Sequence, residues 1–428
     1  MRFLNSFSAL LLFFPMASFA QVPIQDMKEV GQDVSLPQPK LTKDKVVRRV
    51  DIEGWKGDQT PKAPQGFKVT RFAKDLKNPR SVYVLPNGDV LVAEATGIWK
   101  PALSANRVTL LRDTDKDGVA DEKTTFLDGL TRPYGMLVMG DYFYVANTDG
   151  IMRYPYRLGQ KKIEGKGEEI LELPAGGYNN HWTRNIIANK DGTKIMVSVG
   201  SGSNNGENGM DKEARRANIL EINPDGSGEE IFAAGLRNPV GMDYEPVTGA
   251  LWTAVNERDE LGDNLVPDYI TSVKRGGFYG WPYAYFGPNE DPRMKDVRPD
   301  LVKSTLVPDY ALGSHTASLG MAFYTKEAFP EHYQGGAFVA QHGSWNRTEY
   351  SGYQVVFVPF KKGKPNGKAE PFLTGFIKNA EEDEAFGRPV DVKVTPEGAL
   401  LVTDDSGDTV WQVTAEPSAK KSSKKATK

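Results

Sequence analysis

The chain has no cysteine. Disulfides, thiolate metal sites, iron–sulfur ligation and cysteine nucleophiles are therefore excluded, and stability has to come from core burial, with or without a bound metal. Histidine is scarce: four residues in 428, at His181, His315, His332 and His342. No H-E-x-x-H, G-x-S-x-G or phosphate-binding Gly-rich Lys motif occurs, so zinc-protease, α/β-hydrolase and nucleotide chemistry find no support. Charge of one sign is lacking too. Lys and Arg number 53 against 56 Asp and Glu, and that balance gives no footprint for a nucleic-acid partner. Long apolar runs are absent beyond the first residues, whereas a membrane span needs about 20.

The first 20 residues read as a secretory signal. Arg2 supplies the positive start, residues 9–14 the apolar core, and Ala17-Ser18-Phe19-Ala20 a small-residue cleavage site. Pro15 interrupts the apolar run, which is too short to span. The expected product is periplasmic or secreted, without stable membrane insertion. Residues 21–65 are polar and broken by prolines, an extended N-terminal arm in which 47–52 adds one strand. Residues 414–428 carry Lys420, Lys421, Lys424, Lys425 and Lys428 and read as a disordered solubilising tail.

Between 66 and 413 one pattern recurs six times: a loop with Arg, Asn or His, a strand, a Gly turn and a second strand. Its clearest copy is Gly235-Leu236-Arg237-Asn238-Pro239-Val240-Gly241-Met242, with Gly241 read as the point where the backbone turns. The others begin at Leu76, Leu130, His181, His315 and Phe386. β-branched and aromatic strands separated by turn signals exclude a helical solenoid. The expected fold class is all-β, a six-bladed β-propeller. In such a fold the loops before the innermost strands converge on one mouth of the central channel. That gathers Asn78, Arg132, His181, Arg237, Asn238, His315 and Arg388. Either these side chains tie loops to carbonyls, or they hold an anionic or oxygen-rich ligand; as a ring they favour the ligand. His181 is the best placed general base, and His342 reaches the same region from the end of a strand.

A separate signal is the acidic loop Asp113-Thr114-Asp115-Lys116-Asp117-Gly118, followed by Asp121. Alternating carboxylates before a Gly turn match the first half of a calcium loop. The twelfth-position Glu is replaced by Thr124. A structural calcium on Asp113, Asp115, Asp117 and Asp121, or a solvated acidic turn, both fit.

Several stretches together resemble the soluble quinoprotein sugar dehydrogenases that use pyrroloquinoline quinone (PQQ), nearest to their sorbosone- and aldose-dehydrogenase-like branch. They are the 235–242 motif, Asn256-Glu257-Arg258-Asp259-Glu260-Leu261-Gly262-Asp263-Asn264, Gly276-Gly277-Phe278-Tyr279-Gly280-Trp281-Pro282, and 320–324, 341–347 and 387–389. The resemblance implies an oxidoreductase acting on CH–OH groups of a small-molecule sugar, with PQQ and Ca2+ as cofactors and a soluble or membrane electron acceptor. It implies His181 as the base and Arg237 as the stabiliser of charge on a quinone oxygen. It makes Asn238, Asn256 and Arg388 cofactor contacts and the carbonyls of Glu257 and Arg258 calcium ligands. The chain departs from the family pattern at Ser201 or Ser203, where glucose-oxidising members have Asp, and at Val390, where they have a second basic residue. His342 or Arg347 stands in for a family lysine. Two other readings stay open: a calcium-dependent lactonase-type hydrolase, and a non-catalytic propeller binding a glycan or a protein.

Overall fold

The structure, a computed structural model, describes residues 21–41, 46–97 and 101–416. The expected signal segment, 1–20, and most of the expected tail, 417–428, lie outside the described residues, while Thr414 and Ala415 belong to the strand Thr409–Ala415 and not to a tail. The class is all-β, as expected; among the described residues the single α-helix is the six-residue Pro299–Ser304. Six sheets of four or five strands follow one another along the chain, antiparallel but for the pairing of Gly277–Phe278 with Glu230–Ala234 in the third, and their innermost strands are Pro79–Val84, Met136–Met139, Arg184–Ala188, Pro239–Tyr244, Ser318–Phe323 and Pro389–Val394. In each sheet the next strands pair outward in chain order. The sixth sheet takes its outermost strand, Phe67–Ala73, from the start of the repeat region, paired antiparallel with Thr409–Ala415 from its end.

Why the inner strands start as they do is visible in their register. Four of them open on an irregularity, at Pro79/Ser81, Pro239/Met242, Ser318/Met321 and Pro389/Val392. In three the first residue is proline, which has no N–H to give the ladder and is tolerated where pairing is broken. The bulge places the preceding loop at the strand end rather than in the sheet.

Neighbouring sheets meet at one equivalent position on each inner strand: Ser81, Gly135, Asn185, Gly241, Gly320 and Asp391. At three of these a side chain reaches the next sheet's backbone. Ser81 Oγ donates to the Tyr134 carbonyl, Asn185 Nδ2 to Val240 O at 2.7 Å, and Asp391 accepts from Val82 N at 3.2 Å. At the other three only glycine fits, because a Cβ on Gly135, Gly241 or Gly320 would lie 2.5, 2.4 or 2.3 Å from atoms of the next inner strand. Gly241 therefore serves close approach and not a backbone turn; its φ is not positive. The junction from the sixth sheet back to the first is of the same kind as the others. Each junction also carries its own apolar cluster, for instance Leu137, Ile186 and Val197 between the second and third sheets, and Leu401, Val410, Val82 and Val92 between the sixth and first. Full burial of each such side chain contributes about 1.5–3 kcal/mol.

One residue before four of the six junctions, Tyr134, Val240, Leu319 and Val390 pack together as an apolar plug. Beyond it a cavity of about 220 Å³ runs between the inner strands, lined by Tyr83, Met136, Ile187, Met242 and Lys393 among others. Val390, where the resemblance would place a basic residue, is fully buried in the plug.

The N-terminal arm is held against the last three sheets. Residues 30–31 pair with Tyr310–Ser314, and the expected strand over 47–52 is reduced to Asp51–Ile52, parallel to Glu384–Ala385. Trp55 anchors the end of the arm. It stacks on Phe386 at 4.8 Å, meets Trp411 edge-on at 5.1 Å, and donates Nε1 to Asp404 at 2.7 Å.

Candidate functional site

Asn78, Arg132 and His315 take left-handed backbone conformations, with φ of +52, +48 and +60°. Such a conformation is uncommon for non-glycine residues and survives where surrounding structure enforces it. Three of the loops predicted to meet at the mouth thus share one backbone geometry ahead of their strands.

His181 is 8% exposed. Its Nδ1 lies 2.8 Å from the Ser201 carbonyl oxygen and 3.0 Å from Ser201 Oγ, which itself donates to Ser203 O. A carbonyl only accepts, so Nδ1 carries the proton and Nε2 keeps its lone pair. Among the described residues Nε2 has no hydrogen-bond partner. Burial, then the charge of Arg237, then those of Arg184 and Arg216 hold the imidazole well below its ordinary pKa, against the Ser201 carbonyl. The result is a neutral imidazole with one free acceptor. Where the resemblance would place an Asp to orient the imidazole, a main-chain carbonyl does so; the nearby Glu207 accepts from Asn204 N and Asn205 N instead.

Arg237 is 1% exposed, and protein groups take most of its donors. Nε donates to Asn204 O at 3.1 Å, Nη2 to Asn204 Oδ1 at 2.9 Å, and Nη1 to the carbonyls of Asn256 and Glu257 at 3.1 and 2.7 Å. The loop-tying alternative accounts for these contacts of Arg237. The same contacts bear on calcium. The Glu257 carbonyl faces a guanidinium, which opposes a dication at that oxygen. Arg258 is buried with Glu257 and Asp291, at 3.0 and 3.1 Å. The expected calcium contact at the Glu257 carbonyl does not fit this arrangement, whereas the Arg258 contacts are of its side chain and leave its carbonyl aside. Asn238 lies beside His181, since a Cβ on Gly200 would meet both side chains. Asn238 Oδ1 is buried without a partner, one of the polar atoms in this region left for a ligand.

His315 Nδ1 pairs with Asp259 at 3.0 Å and Nε2 with Gly262 O at 3.0 Å. Burial opposes its charged form, but Asp259 outweighs burial and raises the pKa. This ties both ring nitrogens of His315 to protein.

On the other side, residues from the first, fifth and sixth sheets converge. Asp405 accepts from Arg80 and, at 2.9 Å, from His342 Nε2, and its carbonyl accepts from Asn78 Nδ2 at 2.9 Å. Arg388 donates to His342 O at 2.8 Å and Gly343 O at 2.9 Å and lies over the Tyr353 ring. Burial, then Arg388, brings the His342 pKa down to about 4, against the pull of Asp405. Asp405 is held well below the usual carboxylate range by His342 and Arg80 in spite of its burial. Arg80 also lies over Trp182, the neighbour of His181, at 5.1 Å, which joins the two halves of the mouth. Arg80 escaped the sequence reading because it follows Pro79 inside the strand and not in the loop before it. Its Nε is buried and unpartnered, as is that of Arg132, whose guanidinium has no hydrogen bond or ion pair among the described residues.

Arg347 lies near His315, donating to Ser314 O at 3.3 Å. It donates to Glu29 at 3.2 Å, to Asp263 O at 2.9 Å and to Asn264 at 2.9 Å, fastening the N-terminal arm to the 261–264 loop. That corrects its expected place among the cofactor contacts. In the acidic loop the carboxylate oxygens of Asp113, Asp115 and Asp117 lie within 4.8 Å of one another. Asp121 is not part of this group, because its Oδ2 accepts from Thr114 N and Oγ1.

A family model described as TrAA12-like matches residues 61–272 and 297–416. An uncharacterized protein of Borreliella burgdorferi is 28% identical over 368 residues, covering 83% of this chain and 90% of the relative. The aldose sugar dehydrogenase YliI of Escherichia coli is 34% identical over 174 residues, 40% of this chain and 42% of its own length. Among solved structures, the calcium form of a Trichoderma reesei carbohydrate-active enzyme of family AA12 superposes with a TM-score of 0.70 at 18% identity, covering 86% of this chain and 99% of that one. The holo form of the PQQ domain of pyranose dehydrogenase from Coprinopsis cinerea gives 0.69 at 19% identity, covering 85% and 100%. At such identities the superpositions speak for the fold.

Proposed function

The chain belongs to the TrAA12-like family, and from that membership we propose that it is a PQQ-dependent sugar dehydrogenase built on a closed six-bladed β-propeller. Its substrate is an aldose or a sugar aldehyde hydrate of the sorbosone kind. The names of the E. coli aldose dehydrogenase and of the C. cinerea PQQ domain support the activity and the cofactor. The six equivalent junctions support the blade count and closure. Export follows the signal-like residues 1–20, with a soluble or membrane acceptor taking the electrons; no helix among the described residues is long and apolar enough to cross a membrane.

The observation that carries the reading is the state of His181: buried, neutral, fixed through Nδ1, with Nε2 free to accept a hydroxyl proton. PQQ, when bound, supplies the two-electron acceptor for the carbon-bound hydrogen. Its carboxylates suit the donors still open in the mouth, those of Arg80, Arg132 and Arg388. Asn238 Oδ1 is the matching open acceptor. Trp182 and Tyr353 shield the guanidiniums that lie over them. The hydrolase alternative needs several free carboxylates, whereas Asp405 and Asp259 are both already paired with cationic or imidazole groups.

The apo-protein is to be mixed with PQQ, with and without calcium, and followed by absorbance and dye-linked turnover on a panel of aldoses. A cofactor spectrum and turnover are expected. His181→Ala should keep the spectrum and abolish turnover. No spectrum and no turnover with any aldose would overturn the proposal; turnover that requires calcium would put the ion at oxygens other than Glu257 O.

A further inference from the structure

The residue that the proposed chemistry leaves unexplained is Arg184. It is the first residue of the third inner strand, three positions after His181, and its exposure is 0%. Nη1 donates to the carbonyls of His181 and Thr183 at 2.8 and 2.9 Å, and Nη2 to Pro174 O at 2.8 Å. One guanidinium thus closes the 174–184 loop around the imidazole. No carboxylate among the described residues comes within ion-pair distance of it. The neighbouring cation, Arg216, shares the Asn179 Oδ1 acceptor with it, at 2.6 Å from Arg216 and 3.5 Å from Arg184. At the equivalent strand position the first sheet has Arg80, whose charge is met by Asp405, and the others have the plug residues Tyr134, Val240, Leu319 and Val390. A buried guanidinium without a counter-ion is costly to keep, and an apolar side chain serves that position in four of the six sheets.

We propose that Arg184 is a positioning residue for His181, holding the loop that carries the imidazole and setting an unneutralised positive charge behind it so that the base stays unprotonated. The inference rests on the assignment of His181 as base. The groups facing His181 from other elements agree with it. Arg237 comes from the loop before Pro239–Tyr244, and Arg216 from the segment before Asn218–Ile222. Of the nearby carboxylates, Glu213 is occupied by Gly202 N and Ser203 Oγ, and Asp149 offsets the other effects on Arg184 only in part. Burial and Arg216 pull the Arg184 pKa down to about 9, so the group is charged at neutral pH.

The test reads His181 directly. Apo-protein labelled at histidine Cε1 is titrated by NMR, with His181→Ala identifying the signal among the four histidines. Arg184→Gln removes the charge and keeps a donor; the His181 midpoint should move up toward that of an ordinary histidine while the other three stay put. Arg184→Lys keeps the charge and loses the fork; the midpoint should stay low while kcat in the PQQ-loaded enzyme falls roughly tenfold to a hundredfold with KM little changed. Arg216→Gln, which keeps the three Arg184 bonds to the loop and gives up only the Arg216–Asn179 bond, should move His181 upward by less and serves if Arg184→Gln does not fold. A folded Arg184→Gln, or in its place Arg216→Gln, with an unmoved His181 signal overturns the proposal. Because the titration needs neither cofactor nor sugar, failure of the dehydrogenase assignment would show separately, as absent turnover in the unmodified chain.

Discussion

The fate of Arg237 separates what a residue's chemistry announces from what its neighbours allow. As a five-donor fork beside Asn-Pro it reads as an anion clamp, yet Asn204, 33 residues earlier, and the 256–257 carbonyls take its donors. Nothing local in the sequence marks those partners. Arg132 is the converse, an ordinary loop arginine that the fold leaves without a partner. Arg132→Ala should therefore leave the denaturation midpoint nearly unchanged, within about 0.5 kcal/mol, and weaken PQQ binding by about tenfold, as a cofactor titration would show. His181 was legible because an imidazole at a convergent loop is rare in a chain with four. Its orienting carbonyl was not, because a backbone oxygen has no sequence signature. His342 makes a pH-dependent contribution. Its folded pKa, about 4, lies below the unfolded value near 6.5. Unfolding then takes up a proton between those values, so stability is full above about pH 6.5 and falls as the pH drops toward 4. The loss at pH 4.5 is roughly 2–3 kcal/mol, to be read from urea midpoints at pH 7 and 4.5, and His342→Gln should flatten that part of the profile.

At the level of elements, the recurrence of Arg or Asn, Pro and Gly identified the inner strands, and in every copy the two expected strands are present. The purpose of the glycine was misjudged, because turn and close approach call for the same residue and only a neighbouring sheet tells them apart. The two roles predict different mutants. Gly320→Ala would set a Cβ 2.3 Å from Asp391 Oδ1 and 2.5 Å from its Cα, and should cost about 3 kcal/mol by chemical denaturation. Ser81→Ala, at the equivalent place in the first sheet, loses one hydrogen bond and should cost about 1 kcal/mol. Equal losses for the two would contradict the account of the junctions.

For the molecule as a whole, repeat counting led to the all-β class and to six sheets, while the arm's path over the last three sheets was not legible. Its contacts are single residues such as Trp55 and Glu29, scattered through a polar stretch without periodicity. Removing residues 21–60 should leave a folded protein whose melting temperature is lowered by several degrees, mainly through loss of the Trp55 stack on Phe386 and Trp411. Removing residues through 73 also deletes the strand Phe67–Ala73 and should abolish the cooperative transition in calorimetry.

The pairing of Phe67–Ala73 with Thr409–Ala415 also governs the order of events during synthesis. A ribosome makes the first of these strands early and its partner only at residue 415, so the sixth sheet stays incomplete until the repeat region has been made. The mouth straddles that same seam: Asn78 and Arg80 from one end of the chain meet Asp405 and Asp408 from the other. A chain truncated before residue 405 therefore has His181 and its loop but lacks the partners of Asn78 and Arg80, and their joining reports that the repeat region is complete.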